Sequence, residues 1–93
     1  PFLTPQAAER LLERGVRTIG ADAPNLDETR LDLPGPARLP VHHLVAAQDG
    51  VLVENLTGLA ATADLERPWL SVLPLRLRGA DGAPCRAVAF STP

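Results

Sequence analysis

Residues 4–20 read TPQAAERLLERGVRTIG and contain, in order, the signals for a helix, a stop and a strand. Thr4 is a typical N-cap residue, and Pro5 suits the first helical position because its missing N–H has no partner there. Apolar side chains then recur at helical spacing, and the charged side chains face the other way. Gly15 is a typical residue just past a helix end. The pattern predicts a helix over residues 5–14.

The residues after this helix favour an α/β fold. Residues 16–19 alternate and are partly β-branched, which is typical of a short strand, and Gly20 closes it. A helix that leads at once into a strand is typical of α/β rather than all-α domains. The later sequence predicts a second helix over 41–48 and further strands over 51–54, 69–77 and 85–90, with a break or bulge at Pro74.

A long loop separates the first strand from the second helix. Residues 21–40 are crowded with Asp, Asn, Pro and Gly, which favour turns. Loops of this length inside a small domain are usually functional or poorly ordered. Asp22 and Asp27 follow the first strand, and ligands of α/β folds gather at the carboxyl ends of strands. A binding role is one interpretation of these residues; ordinary turn chemistry is the other, and the sequence favours it.

Composition narrows the classes of function. Ninety-three residues make one domain at most, and 45% apolar residues are ordinary for a globular chain. The net charge is −2 and the nine basic residues, all arginine, are scattered, which argues against nucleic-acid binding. No stretch is apolar for long enough to span a membrane. The one cysteine, Cys85, fits a protein of the reducing cytoplasm, and we expect it to be a small buried thiol.

One pair of residues points towards chemistry. His42 begins the second predicted helix, and Glu54 ends the following strand twelve positions later. Both residue types are good ligands for a divalent metal, and both lie at the edge of apolar runs, where a charge is costly unless it is paired or bound. The spacing alone favours a surface histidine and a solvated glutamate. His43 points about 100° away from its neighbour, so we expect it at the surface or in an interface.

A second candidate is the loop over residues 79–86. Arg86 could provide the counter-charge for a phosphate or carboxylate there. The loop lacks the glycine spacing and the lysine of a P-loop, which favours a hairpin loop that turns at Asp81 and Gly82.

Several blocks of the chain, in their order and spacing, resemble the cyclase family of metal-dependent hydrolases, which includes bacterial kynurenine formamidases and isatin hydrolases. The blocks are LTPQAA (3–8), LLERGVRTIG (11–20), DAPNLD (22–27), PVH (40–42), VENLT (53–57), LPL (73–75) and GADGAPCRAVA (79–89). They match only the C-terminal half of the family pattern. The H-x-G-T-H-x-D-x-P-x-H motif of the N-terminal half does not occur in this sequence.

The resemblance implies a metal site that the chain shares with other protein. His42 matches the family's downstream histidine ligand, and Glu54 matches its downstream carboxylate ligand. The implied metal is Zn²⁺ or Mn²⁺, and the implied reaction is hydrolysis of a cyclic or formyl amide C–N bond of a small molecule by metal-activated water. No catalytic residue is expected in this chain, because the catalytic histidine belongs to the N-terminal half. His43, Ala83 and Gly58 depart from the family pattern, which leaves the substrate open.

The resemblance also implies an architecture. Residues 1–93 would be the C-terminal half of a single domain, part of a swivelling β/β/α fold with a mixed sheet and flanking helices. That fold is incomplete without an N-terminal half, on the same or a separate chain, and the family tends to form homo-oligomers. The alternatives are a non-catalytic half-domain that acts as an interaction module and a pseudoenzyme with the complete fold. A catalytic zinc ion needs three protein ligands, and this chain offers only the pair.

Overall fold

The structure, a computed structural model, describes residues 1–92, apart from the side chain of Pro36. The chain divides into two compact units, Pro1–Thr57 and Gly58–Pro93. The described residues form two α-helices, four strands and two 3₁₀ turns. The helices are α1 (Pro5–Glu13) and α2 (Pro40–Ala46), the strands are β1 (Thr18–Gly20), β2 (Val51–Val53), β3 (Trp69–Pro74) and β4 (Cys85–Phe90), and the turns span Gly35–Arg38 and Leu59–Thr62.

Helix α1 confirms the helix predicted over residues 5–14. The Thr4 hydroxyl oxygen accepts a hydrogen bond from the Ala7 amide at 3.2 Å, as an N-cap residue does. Gly15 has φ +86°, which an L side chain rarely adopts, and its amide donates to the Leu12 carbonyl at 2.9 Å. The Val16 amide is also bound to the helix end, at 3.0 Å from the Leu11 carbonyl oxygen. For that reason β1 begins at Thr18, two residues later than the sequence predicted.

Strands β1 and β2 form a parallel pair in the first unit, with Ile19 opposite Leu52. Helix α2 lies between the two strands in the sequence and packs against α1. A buried cluster joins these elements; its members are Ala8, Ile19, Leu26, Val41 and Val45. Because the strands are parallel, their carboxyl ends lie at the same edge of the pair, where the chain continues to Asp27 on one side and to Glu54 on the other.

Strands β3 and β4 form an antiparallel hairpin in the second unit, as the sequence predicted, with a register from Trp69 opposite Phe90 to Pro74 opposite Cys85. Strand β3 ends at Pro74 and does not reach residue 77; Pro74 itself pairs with Cys85, and the Leu75 amide still donates to the Pro84 carbonyl at 3.0 Å. The expectation of a buried thiol is wrong: Cys85 is exposed. Nothing in residues 58–92 covers the hairpin, and none of these residues is buried.

The α/β class is confirmed, whereas the sheet differs from the single mixed sheet that the resemblance implies. Residues 1–92 form one parallel and one antiparallel pair of strands, each pair within its own unit. Three residues per strand in the first pair offer few ladder hydrogen bonds, so this pair depends on packing against the helices. The swivelling arrangement and the need for an N-terminal half stay predictions.

Candidate metal centre

The structure brings together the two side chains that the sequence singled out. His42 lies in the first turn of α2, which begins at Pro40, and Glu54 directly follows β2. His42 Nε2 is 3.6 Å from Glu54 Oε1. The side chains are 35% and 26% exposed, so the pair is half-buried and open to solvent on one side. Both residues belong to the unit Pro1–Thr57.

A third residue, Asp27, completes the arrangement. Its Oδ2 atom is 2.7 Å from His42 Nδ1, on the other side of the imidazole ring from Glu54. The same carboxylate accepts the backbone N–H groups of Val41, at 2.7 Å from Oδ1, and of His42, at 3.0 Å from Oδ2. Its side chain is only 1% exposed. Asp27 therefore caps the N-terminus of α2 from a distant loop and contacts the ring that the helix carries.

The same loop also holds Glu54. The Leu26 amide donates to Glu54 Oε1 at 2.8 Å. Beyond β2 the backbone turns at Asn55, which has φ +56°, a left-handed conformation that asparagine tolerates better than most residues. The Asn55 amide donates to the Ala23 carbonyl at 2.9 Å, so the chain after β2 stays bound to the chain after β1. Glu54 is thus held in two ways: its carboxylate is bound by the Leu26 amide, and the backbone that follows it is bound to the Ala23 carbonyl.

The remaining candidates lie outside this arrangement. Asp22 and His43 are exposed, which agrees with the turn and surface interpretations of these two residues. Arg86 and Cys85 are exposed on β4 in the second unit. Asp27 is the residue whose role the sequence underestimated, because Asn25-Leu26-Asp27 is typical of a plain turn. The available signal was its position after a strand, at the edge where ligands of α/β folds gather.

The charges around the site favour a cation. Within residues 1–92, His42 is the only basic side chain that contacts the carboxylates of Asp27 and Glu54. Arg30, three residues after Asp27, is paired with Asp32: its guanidinium contacts both carboxylate oxygens of Asp32, at 2.9 and 2.7 Å. That hydrogen bonding lowers the pKa of Asp32 to about 2 and raises the pKa of Arg30. Two carboxylates and one imidazole therefore meet without a neutralising arginine.

Among the described residues, the site offers two side chains that could ligate a metal, His42 and Glu54. In the part of the chain that the structure describes, no group of three or more His, Cys, Asp or Glu side chains is arranged to hold a metal ion. Asp27 contacts the His42 ring at Nδ1, on the side opposite Glu54. It therefore holds the ring in place and does not join His42 Nε2 and Glu54 as a third ligand. Further ligands would have to come from other protein.

Comparison with known proteins identifies relatives along almost the whole chain. The kynurenine formamidase of Salinibacter ruber is 39% identical over 92 residues, which cover 98% of this chain and 40% of the relative. That of Bordetella petrii is 38% identical over 86 residues, covering 90% and 37%, and that of Bacillus cereus is 38% identical over 89 residues, covering 95% and 39%. The chain is related to the kynurenine formamidases. It spans about two fifths of the length of the kynurenine formamidases that it matches.

No family model matches the chain, and no solved structure matches it. The match to the Salinibacter protein leaves out at most the extreme ends of the chain, so it includes residues 27–54, which carry the site. Among the described residues, none of the helices has the length and apolar character needed to cross a membrane.

Proposed function

We propose that this chain supplies part of the active site of a metal-dependent formamidase, with His42 and Glu54 as metal ligands. The observation that carries the proposal is the 3.6 Å separation of His42 Nε2 and Glu54 Oε1. That separation is longer than an N–H···O hydrogen bond, which measures about 2.7–3.2 Å. The two atoms face each other without bonding, as two ligands of one ion do.

The donor set fits Zn²⁺ or Mn²⁺. Imidazole nitrogen and carboxylate oxygen bind zinc at about 2.0–2.2 Å, so two ligands of a tetrahedral ion lie about 3.4 Å apart. The observed 3.6 Å is close to that spacing. His42 Nδ1 is already bound to Asp27, which leaves Nε2 as the free nitrogen. A ligating histidine almost always has its other ring nitrogen held in this way.

The chemistry of such a site is amide hydrolysis. A bound Zn²⁺ or Mn²⁺ ion lowers the pKa of water towards neutrality and so makes hydroxide available to attack a carbonyl. Water is added across the C–N bond of a formamide, which gives formate and an amine. The relatives' name, kynurenine formamidase, provides the substrate class. Within this chain, His42 binds through Nε2 as a neutral ring, Glu54 adds negative charge, and Asp27 and Leu26 hold the two in place.

The remaining ligands and the general acid would come from protein beyond this chain, on the same or a partner polypeptide. Two observations support this. The relatives are about two and a half times as long as the chain. The second unit has exposed apolar side chains on its hairpin, including Trp69 at 61% and Leu73 at 64% exposure, which a further layer of protein would cover. A homo-oligomer and a small-molecule substrate stay predictions.

Metal content tests the proposal directly. The complete protein that carries this chain is purified without chelator, and its zinc and manganese are measured together with formamide hydrolysis. We expect His42→Ala to lose most of the bound metal and the turnover. His43→Ala is the matched control, because the neighbouring ring is exposed and should leave both unchanged. Full metal content and full turnover in His42→Ala would overturn the proposal.

A non-catalytic module is the second candidate, and the absence of a three-ligand group among residues 1–92 favours it. The two functions differ in a simple measurement. A module would fold and bind its partner with the same affinity with or without Zn²⁺ and Mn²⁺, and Glu54→Gln would be silent. A formamidase would lose turnover with Glu54→Gln, whereas Glu9→Gln on the exposed face of α1 would keep it.

A further inference from the structure

The loop that follows β1 contacts both members of the metal pair through two adjacent residues. The Leu26 amide donates to Glu54 Oε1 at 2.8 Å, and the Asp27 carboxylate lies 2.7 Å from His42 Nδ1. The loop is itself held in place. Leu26 is 4% exposed within the core, and the Asn25 side-chain oxygen accepts the Asp27 amide at 3.0 Å. One rigid turn thus sets where both ligands point.

The two backbone hydrogen bonds of Asp27 show which partner donates in its third contact, the one to the His42 ring. Its carboxylate oxygens already accept the N–H groups of Val41, at 2.7 Å, and of His42, at 3.0 Å. Both donors are backbone amides, so the carboxylate acts as an acceptor on both oxygens. An ionised carboxylate has no proton to donate. The contact of 2.7 Å to the ring is therefore donated by Nδ1–H of His42.

We propose that Asp27 is a positioning residue that holds His42 in its Nδ1–H tautomer and leaves the Nε2 lone pair directed at Glu54. The inference deepens the proposed function and rests on it for the part that concerns metal. Which imidazole nitrogen carries the proton is set by the hydrogen bond of the other nitrogen. In the opposite tautomer, Nε2 would carry a hydrogen and could not bind a metal.

A purely structural role does not account for the third contact. Capping α2 requires only the two backbone N–H groups, which Asp27 already accepts. The contact to the ring adds nothing to the helix, since it constrains only the side chain of His42. A neutral ring held in this tautomer presents its Nε2 lone pair towards Glu54 Oε1, 3.6 Å away, as two ligands of one cation would be placed.

The tautomer is measured on the metal-free protein by long-range ¹H–¹⁵N correlation of the imidazole ring. The spectrum is recorded at mildly alkaline pH, and His43, whose ring is exposed, provides an internal reference. We expect His42 to carry its proton on Nδ1 and to have an unprotonated Nε2. In the neutral ring, a proton on His42 Nε2 and none on Nδ1 overturns the inference. This measurement needs neither activity nor a folded variant.

Asp27→Ala then links the tautomer to metal binding. We expect the ring proton to redistribute towards Nε2 and the affinity of the complete protein for Zn²⁺ to fall about 10–100-fold, the usual effect of removing a partner of a ligating histidine. Asp22→Ala is the matched control, because Asp22 lies exposed in the same loop. Unchanged tautomer and unchanged affinity in folded Asp27→Ala overturn the inference.

The two proposals fail in different ways. If wild-type His42 carries its proton on Nδ1 and the complete protein binds no Zn²⁺ or Mn²⁺, the proposed formamidase function is wrong and the positioning by Asp27 stands. If the protein binds metal while metal-free His42 is protonated on Nε2, the function stands and the role given to Asp27 is wrong.

Discussion

At the scale of single residues, Gly50 lies where the end of α2 meets the start of β2. A Cβ atom added there would be 2.6 Å from the Val45 side chain and 2.9 Å from the carbonyl oxygens of Arg17 and Val45. Two of these three neighbours are backbone atoms and cannot rotate away. Gly50 is therefore required by space and not by a positive φ.

We predict that Gly50→Ala lowers the free energy of unfolding by about 1–3 kcal/mol, the usual cost of overpacking. Urea unfolding followed by circular dichroism measures it. Gly82→Ala is the matched control, since nothing lies within 4 Å of its added Cβ and its φ is not positive. That variant should keep its stability or gain up to about 1 kcal/mol through the unfolded state. Equal stabilities of the two variants would contradict this interpretation.

Single residues also show what the sequence could and could not predict about the site. His42 and Glu54 stood out because they lie at the edges of apolar runs, but their spacing alone favoured surface residues, and it was the family resemblance that implied a metal. Asp27 was named with Asp22 as a candidate, and nothing in their local sequence separates a turn residue from the cap of a helix that begins thirteen residues later. Only the fold of the intervening loop decides that Asp27 is buried and Asp22 exposed.

At the scale of secondary-structure elements, α2 is the element on which the site depends. It carries His42 on one side, and on the other it buries Val41 and Val45 in the core at 0% and 1% exposure. The helix has only seven residues, too few to be stable on its own. Its position, and hence the position of the imidazole ring, is therefore set by these two valines and by the cap from Asp27.

We predict that Val45→Ala destabilises the first unit by about 2 kcal/mol, through two lost methyl groups and the cavity that they leave. The measurement is urea unfolding of the complete protein. Val51→Ala makes the same chemical change at a residue that is 52% exposed and should cost well under half as much. If the two variants unfold at the same urea concentration, α2 does not have the anchoring role described for it.

The elements themselves were predictable where their signals are local. Helix α1 has an N-cap, a proline and a terminal glycine within its own sequence, and β4 was predicted to the residue. The start of β1 was predicted too early, because the Val16 amide donates to the Leu11 carbonyl at the end of α1. The parallel pairing of β1 with β2 was not predicted, since it brings together residues thirty-three positions apart and no local signal encodes a register of that kind.

At the scale of the whole molecule, the two units differ in how much they bury. Pro1–Thr57 has a core, whereas no residue of 58–92 is buried. A two-stranded hairpin is marginally stable at best in water. The second unit carries exposed Trp69, Leu73 and Phe90 on its strands, at 61%, 64% and 46% exposure. In a protein as long as the relatives, we expect the additional chain to cover these exposed apolar side chains.

Trp69 reports on that burial, because it is the single tryptophan of the sequence. We predict that the 93-residue chain emits with the red-shifted spectrum of a solvated indole, and that a complete protein with one tryptophan, at this position, emits further to the blue and resists acrylamide quenching. The reference for full exposure is either protein in concentrated urea. The physical reason is that apolar faces of this size lower the free energy when further protein removes them from water. If Trp69 in the complete protein is quenched as readily as in urea, the hairpin is a free surface and no further protein covers it.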